Sequence, residues 1–207
     1  MTGGNGPVVV KLGGSFAFSM HLRDWIEALA ACAGRVVVVP GGGPFADAVR
    51  SAQIRMGFDD RTAHHMAVLA MEQYGRALVS LNRMLSPADS ADTIRHELAT
   101  GRVPVWMPGR MVFGATDIGQ SWDTTSDSLA AWLVGEIGAD RLLLIKHVEF
   151  QAGRARFADL AAMGIVDKAF ARHLRMSAAA AYILGPCDHD AAIIAIRDGA
   201  AAGIPVE

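Results

Sequence analysis

The stretch Val8-Val9-Val10-Lys11-Leu12-Gly13-Gly14-Ser15 decides how the rest of the chain is read. Three valines and a leucine make a short apolar run of the kind that forms a strand buried on both faces. Its charged residue, Lys11, stands near the carboxyl end. Two glycines follow, then a serine where a helix begins. Glycines let backbone amides approach an oxyanion closely, a helix N-terminus adds about half a positive charge, and Lys11 adds a full one. The loop is neither a Walker A sequence nor a G-x-G-x-x-G fingerprint. Taken alone, it suits a phosphate cradle and a structural tight turn equally well.

The same arrangement returns at residues 36–45, VVVVPGGGPF, where Gly41, Gly42 and Gly43 lead into a helix whose first turn holds Pro44. Two glycine turns at the carboxyl ends of early strands fall side by side in an open sheet, where such folds place ligands. One turn then serves a donor phosphate and the other an acceptor. Further apolar runs at 103–107, 142–147 and 181–184, and a short one near Ile204, alternate with helical patterns. This predicts an α/β fold, a three-layer αβα sandwich around a mainly parallel open sheet, as one domain over residues 1–207.

A helix is expected over 16–33 from the spacing of Trp25, Ile26 and Leu29. Asp59 and Asp60 are expected to cap a long helix running to about Leu85, with Pro87 just beyond its end. Met66, Leu69, Ala70, Met71, Leu78 and Leu81 read as its core face. Residues 109–122, GRMVFGATDIGQSW, read as the longest loop and a candidate substrate lid.

Composition narrows the function classes. An apolar content of 52% is ample for a packed core, which excludes disorder as the main state. With 19 basic and 21 acidic residues the net charge is -2, giving no electrostatic reason to expect nucleic acid or an anionic membrane. Cys32 and Cys187 have no metal-ligand spacing and are expected to be buried thiols. His96, His147, His173 and His189 share no spacing either, so no zinc site is expected. No run approaches the ~18 apolar residues of a spanning helix. A soluble, cytoplasmic protein is expected.

The third informative segment is 122–146, WDTTSDSLAAWLVGEIGADRLLLIK, in which Asp127 falls in the first turn of a helix. A carboxylate there either stabilises the helix N-terminus or orients Lys11 and neighbouring donors toward a transferring phosphoryl group. In order and spacing, the three segments together resemble the amino acid kinase superfamily. Its members end the first strand in K-x-G-G-S and the second in G-G-G, and they open the helix before the nucleotide strand with N-D, T-D or S-D. Here these are Lys11, Gly13, Gly14 and Ser15, then Gly41 to Gly43, then Ser126 and Asp127.

The resemblance implies ATP with Mg²⁺ as donor and a small phosphate-bearing acceptor. It makes Lys11 the stabiliser of the phosphoryl group in flight, with Gly13, Gly14, Gly42 and Gly43 donating backbone hydrogen bonds and Asp127 organising the lysines. Ser15 and Lys146 fall on the donor-phosphate side, and Lys168 in GIVDKAF matches a further catalytic lysine. Gly41 to Gly43, Arg61 and His65 fall on the acceptor side. Adjacent helical residues point about 100° apart, so at most one of His64 and His65 is expected to face the site. Arg55 lies beyond the second glycine loop with Arg61, Trp106 reads as core, and Trp122 offers an aromatic wall.

The chain departs from the family at Lys146-His147-Val148-Glu149-Phe150, where many members read T-D-V-D-G or T-K-V-D-G, and at QAGRARFADL, in place of the hairpin around the base. HHMAVLAMEQYG and WDTTSDSLAAWL resemble the methanofuran-biosynthesis branch, whose acceptor is an aminomethyl-furanmethanol phosphate. Uridylate or isopentenyl phosphate are the alternative acceptors, and a noncatalytic ATP- or oxyanion-binding storage or regulatory protein is the alternative role. Relatives imply a homo-oligomer, dimer or higher.

Overall fold

Alternation along the first strand sets the layering. The computed structural model describes residues 6–148 and 156–207. Its strands are β1 (Val8–Leu12), β2 (Val36–Pro40), β3 (Leu85–Ala88), β4 (Val103–Trp106), β5 (Arg141–Ile145), β6 (Ala180–Leu184) and β7 (Ile204–Pro205). They form one sheet in the order β3-β4-β2-β1-β5-β6-β7. Every pairing is parallel except that of β7, which lies antiparallel on β6. Central β1 pairs with β2 and β5, with Lys11 opposite Val39 and Leu144.

The helices are α1 (Leu22–Ala30), α2 (Gly43–Met56), α3 (Asp60–Leu81), α4 (Ala91–Ala99), α5 (Gly109–Val112), α6 (Ser126–Ile137), α7 (Phe157–Ala162), α8 (Phe170–Ser177) and α9 (His189–Asp198). Val8, Val10 and Leu12 belong to a core with Trp25 and Ile26 of α1, Leu78 of α3 and Ile196 of α9. Val9 belongs to the opposite core, with Leu129 and Leu133 of α6, Ile94 of α4 and Phe170 of α8. This is the expected three-layer sandwich. Because side chains alternate along a strand, Lys11 shares the face of Val9, under α6.

Four local expectations change. Residues 16–33 are not one helix: a 3-10 turn, Gly14–Phe18, follows the first glycine loop, and α1 starts only at Leu22. The Asp59 cap is present, its carboxylate accepting from Thr62 N at 2.8 Å. However, α3 stops at Leu81, and residues 85–88 form a strand. Pro87 is tolerated there because β3 is an edge strand with no partner on one side. On α3, Met66 and Leu69 are exposed while Val68, Ala70, Met71 and Leu78 are buried. The expected lid begins with a single helical turn, α5, and its Ile118 is buried. Strand bounds otherwise move by a residue or two. No helix among the described residues is long and apolar enough to cross a membrane.

Candidate active site

Parallel register brings Leu12 opposite Pro40, so the two glycine loops leave the sheet side by side. Their backbones touch. A Cβ added at Gly14 would stand 2.4 Å from Gly43 N, and one at Gly41 would stand 2.3 Å from Gly14 N. Gly43 also adopts φ 55°, a left-handed conformation that favours glycine.

The backbone amides divide into two groups. Gly13 N donates to Ile145 O (3.2 Å) and Gly41 N to Leu12 O (2.9 Å), so these two tie the loops to the sheet. Gly13 is therefore corrected from a phosphate donor to an anchor. Gly14 and Ser15 open the 3-10 turn and Gly42 and Gly43 open α2, positions whose N–H groups lack intrahelical acceptors. All four residues line one cavity of about 260 Å³.

Next to cavity-lining Ser126 in the chain, Asp127 belongs to a buried charge cluster that does not itself line the cavity. Lys11 Nζ is 2.9 Å from Asp127 Oδ1, and Lys146 Nζ is 2.7 Å from Asp127 Oδ2. Lys146 is hydrogen-bonded to the carboxylate and also donates to the Ile165 carbonyl. Lys11 and Lys146 thus take the two oxygens of one carboxylate. Burial pushes the Asp127 carboxyl up, but the ammonium groups of Lys11 and Lys146 outweigh it and hold the group at about 2. Burial pushes Lys146 down, Asp127 draws it back and Lys11 repels it, leaving it at about 8. Among the described residues, two cations around one anion leave an excess positive charge out of water, a configuration that an anionic ligand relieves.

Asp127 is held in place from outside its own helix. Asp167 Oδ2 accepts from Thr125 N (2.8 Å), Thr125 Oγ1 (2.7 Å) and Ser128 N (3.1 Å), and Oδ1 accepts from Ser128 Oγ. It serves as the N-terminal cap of α6, a role usually filled by the N-cap residue itself. The opposite wall comes from α2 and α3. There the Arg50 guanidinium lies over the Trp122 ring at 4.3 Å, Trp122 Nε1 donates to Gln53 Oε1 (2.7 Å), and Arg50 pairs with Asp47 at 3.5 Å.

Several expected residues lie elsewhere. Lys168 is exposed and pairs with Asp123 at 2.9 Å, outside the cavity; the second buried cation beside Asp127 is Lys146. Arg61 is exposed on the first turn of α3, Arg55 is exposed near the end of α2, and neither lines the cavity. The wall histidine is His64, whereas the ring of His65 packs on Phe113 at 4.9 Å. Burial and then the neighbouring His65 push His64 below the usual imidazole value, against the raising effect of the Ser121 and Thr124 backbone. A neutral His64 supplies no charge to an acceptor phosphate.

Trp122 is in the wall, as expected, and Trp106 is buried against Trp132. Glu149, Phe150 and the first five residues of QAGRARFADL lie outside the described residues. Asp47, Arg50 and Asp167 are additions of the structure. The first two had a sequence signal, since Gly43, Asp47 and Arg50 are spaced i, i+4, i+7 along one face of a helix.

The amino acid kinase family matches residues 6–150 of the sequence. The chain belongs to that family. It is similar to [5-(aminomethyl)furan-3-yl]methyl phosphate kinase from Methanocaldococcus jannaschii, 26% identical over 130 residues. That match spans 60% of this chain and 58% of the relative, less than two thirds of the relative's length. Among solved structures, uridylate kinase from Archaeoglobus fulgidus superposes with a TM-score of 0.71 at 22% identity, covering 97% of this chain and all of that one. UMP kinase from Bacillus anthracis gives 0.71 at 17%, over 97% and 95% of the two chains. UMP kinase from Ureaplasma parvum gives 0.69 at 16%, over 98% and 99%. At these identities the likeness establishes the amino acid kinase fold.

Proposed function

We propose that the chain is an ATP-dependent kinase that transfers the γ-phosphoryl group to a small phosphate monoester. The favoured acceptor is an aminomethyl-furanmethanol phosphate of methanofuran-type one-carbon cofactor synthesis. The observation that carries the reading is the Lys11–Asp127–Lys146 cluster, buried where two glycine loops touch. Phosphoryl transfer has a loose transition state, and its catalysis is mostly positioning and charge stabilisation. Free amides of Gly14 and Ser15 hold the donor phosphates, those of Gly42 and Gly43 hold the acceptor phosphate, and Lys11 bridges them. Lys146 and Asp127 set the position of Lys11. An acceptor that is already an anion needs no general base.

Among the described residues no three His, Cys, Asp or Glu side chains converge on a metal site. Magnesium would be held by the nucleotide phosphates together with one or two carboxylates, as is usual for this ion. The relative's printed activity supports the acceptor. Exposed Ile54 and Met56 on α2 and Met66 and Leu69 on α3 form apolar surface suited to association of copies.

The test is incubation of purified protein with ATP, Mg²⁺ and a panel of phosphate esters, with ADP release measured. The panel includes the furanyl phosphate, uridylate and isopentenyl phosphate. ADP above background only with the furanyl ester supports the full reading; turnover of uridylate alone reassigns the acceptor. ATP binding without any turnover removes the kinase assignment and leaves a storage or regulatory role.

A further inference from the structure

The cavity wall contains a carboxylate for which phosphoryl transfer has no use. Among its described lining residues, Asp47 is the one acid and Arg50 the one residue of full positive charge. Asp47 follows Gly43 by four residues on α2, about 6 Å along the helix axis at about 1.5 Å per residue. It therefore stands one turn beyond the amides assigned to the acceptor phosphate. A bare carboxylate at that distance opposes any acceptor whose charge is wholly negative.

The Asp47–Arg50 pair does not cancel that charge firmly. It measures 3.5 Å between exposed side chains, against about 2.7–2.9 Å for a charge-assisted hydrogen bond. Arg50 has separate support from the Trp122 ring, which Gln53 fixes in turn. The Asp47 carboxylate thus keeps acceptor capacity facing the cavity. At about 260 Å³, that cavity lies below the usual range of about 300–1,000 Å³ for drug-sized ligands, so the molecule it takes is small.

We propose that Asp47 is the specificity-determining residue of the acceptor site, binding a primary ammonium group that the acceptor carries about 6 Å from its phosphate. The inference rests on the kinase reading above and adds a substrate class: small zwitterionic phosphate monoesters, amine at one end and phosphate at the other. Trp122 supplies the flat wall between the two charges, and neutral His64 adds no competing cation.

The experiment compares [5-(aminomethyl)furan-3-yl]methyl phosphate with its analogue bearing methyl in place of aminomethyl. Both are tested with wild type and with Asp47→Asn and Asp47→Glu, by ADP release and by calorimetric binding. Wild type is expected to favour the amine on the order of thirtyfold, mostly through KM, as a hydrogen bond between two charged groups implies. In Asp47→Asn the preference falls to within about threefold, and in Asp47→Glu part of it returns. Asp47 is exposed, so both variants are expected to fold, and melting temperature checks this. An unchanged preference in Asp47→Asn, or none in wild type, overturns the inference. Binding reads that preference even without turnover. ADP release with either ester is what the kinase reading requires, so the two claims fail separately.

Discussion

Replacing Gly14 by alanine perturbs the contact on which both phosphate loops depend. The new methyl carbon would lie 2.4 Å from Gly43 N and 2.8 Å from Gly43 Cα, both backbone atoms that cannot rotate away. Reaching an ordinary contact of about 3.4 Å requires the loops to separate by about 1 Å. Overpacking of this kind costs about 1–3 kcal/mol. For a chain of 207 residues that is a fall in melting temperature of roughly 2–12 °C. The catalytic effect is larger, because a misplacement of about 1 Å between reacting groups costs on the order of a hundredfold. The assay is steady-state kcat/KM for both substrates alongside thermal melting, with Gly135→Ala on α6 as control. There an added Cβ meets Ser177 Cβ at 3.8 Å and Cα at 3.9 Å, both ordinary contacts, and alanine should hold or raise stability. A folded Gly14→Ala enzyme with kcat/KM within twofold of wild type would refute the idea that loop apposition sets the transfer geometry.

Three further outcomes are expected. Lys11→Ala lowers kcat by at least about a hundredfold because it removes a preorganised donor, while Lys168→Ala changes kcat less than about threefold since its ammonium is exposed on Asp123; equal losses would mean Lys168 reaches the reacting group during turnover. The kcat/KM profile falls as Lys146 loses its proton above about pH 8, where an ordinary lysine would not titrate until about 10.4. The stability term has the opposite sign: between about 8 and 10.5 the unfolded chain binds the Lys146 proton and the folded chain does not, so this group's contribution to stability rises with pH while activity falls. At the acid end, the stability from Asp127 is complete above 3.8 and lost as pH drops through about 2. Asp167→Ala unpairs the first turn of α6 and costs about 2 kcal/mol, or roughly 4–8 °C in melting temperature, with kcat reduced through Asp127; a fall in stability at unchanged kcat would confine Asp167 to a structural role.

The parts of the site legible in the sequence were those carried by local chemistry. Lys11 and the paired glycines announce themselves because a strand, a turn and a helix start are each local. Asp127 was legible as a helix-start residue, and β1 was read to the residue. What escaped depended on partners distant in the chain. Pro87 argued for a helix stop, and nothing nearby shows that residues 85–88 occupy a sheet edge where proline is harmless. The choice between Lys146 and Lys168 turned on which side chain α6 covers. His64 was recoverable: it is in phase with Val68, Met71, Gly75 and Leu78, at i, i+4, i+7, i+11 and i+14, whereas His65 is in phase with Leu69. Asp167 acts across 42 residues on Thr125, a separation no local pattern reports.

The backbone contact between the glycine loops also bears on how such a protein changes over time. In the proposed kinase the span between donor and acceptor phosphates is set by main-chain atoms of Gly14, where a Cβ has no room, and of Gly43, whose φ of 55° strains any other residue. The acceptor contacts proposed above, by contrast, come from side chains on α2 and the loop carrying Trp122, which can be exchanged one at a time. The protein thereby separates the ruler from the lock: a lineage can trade one small phosphate for another at Asp47 or Trp122 while the distance over which the phosphoryl group travels stays the same.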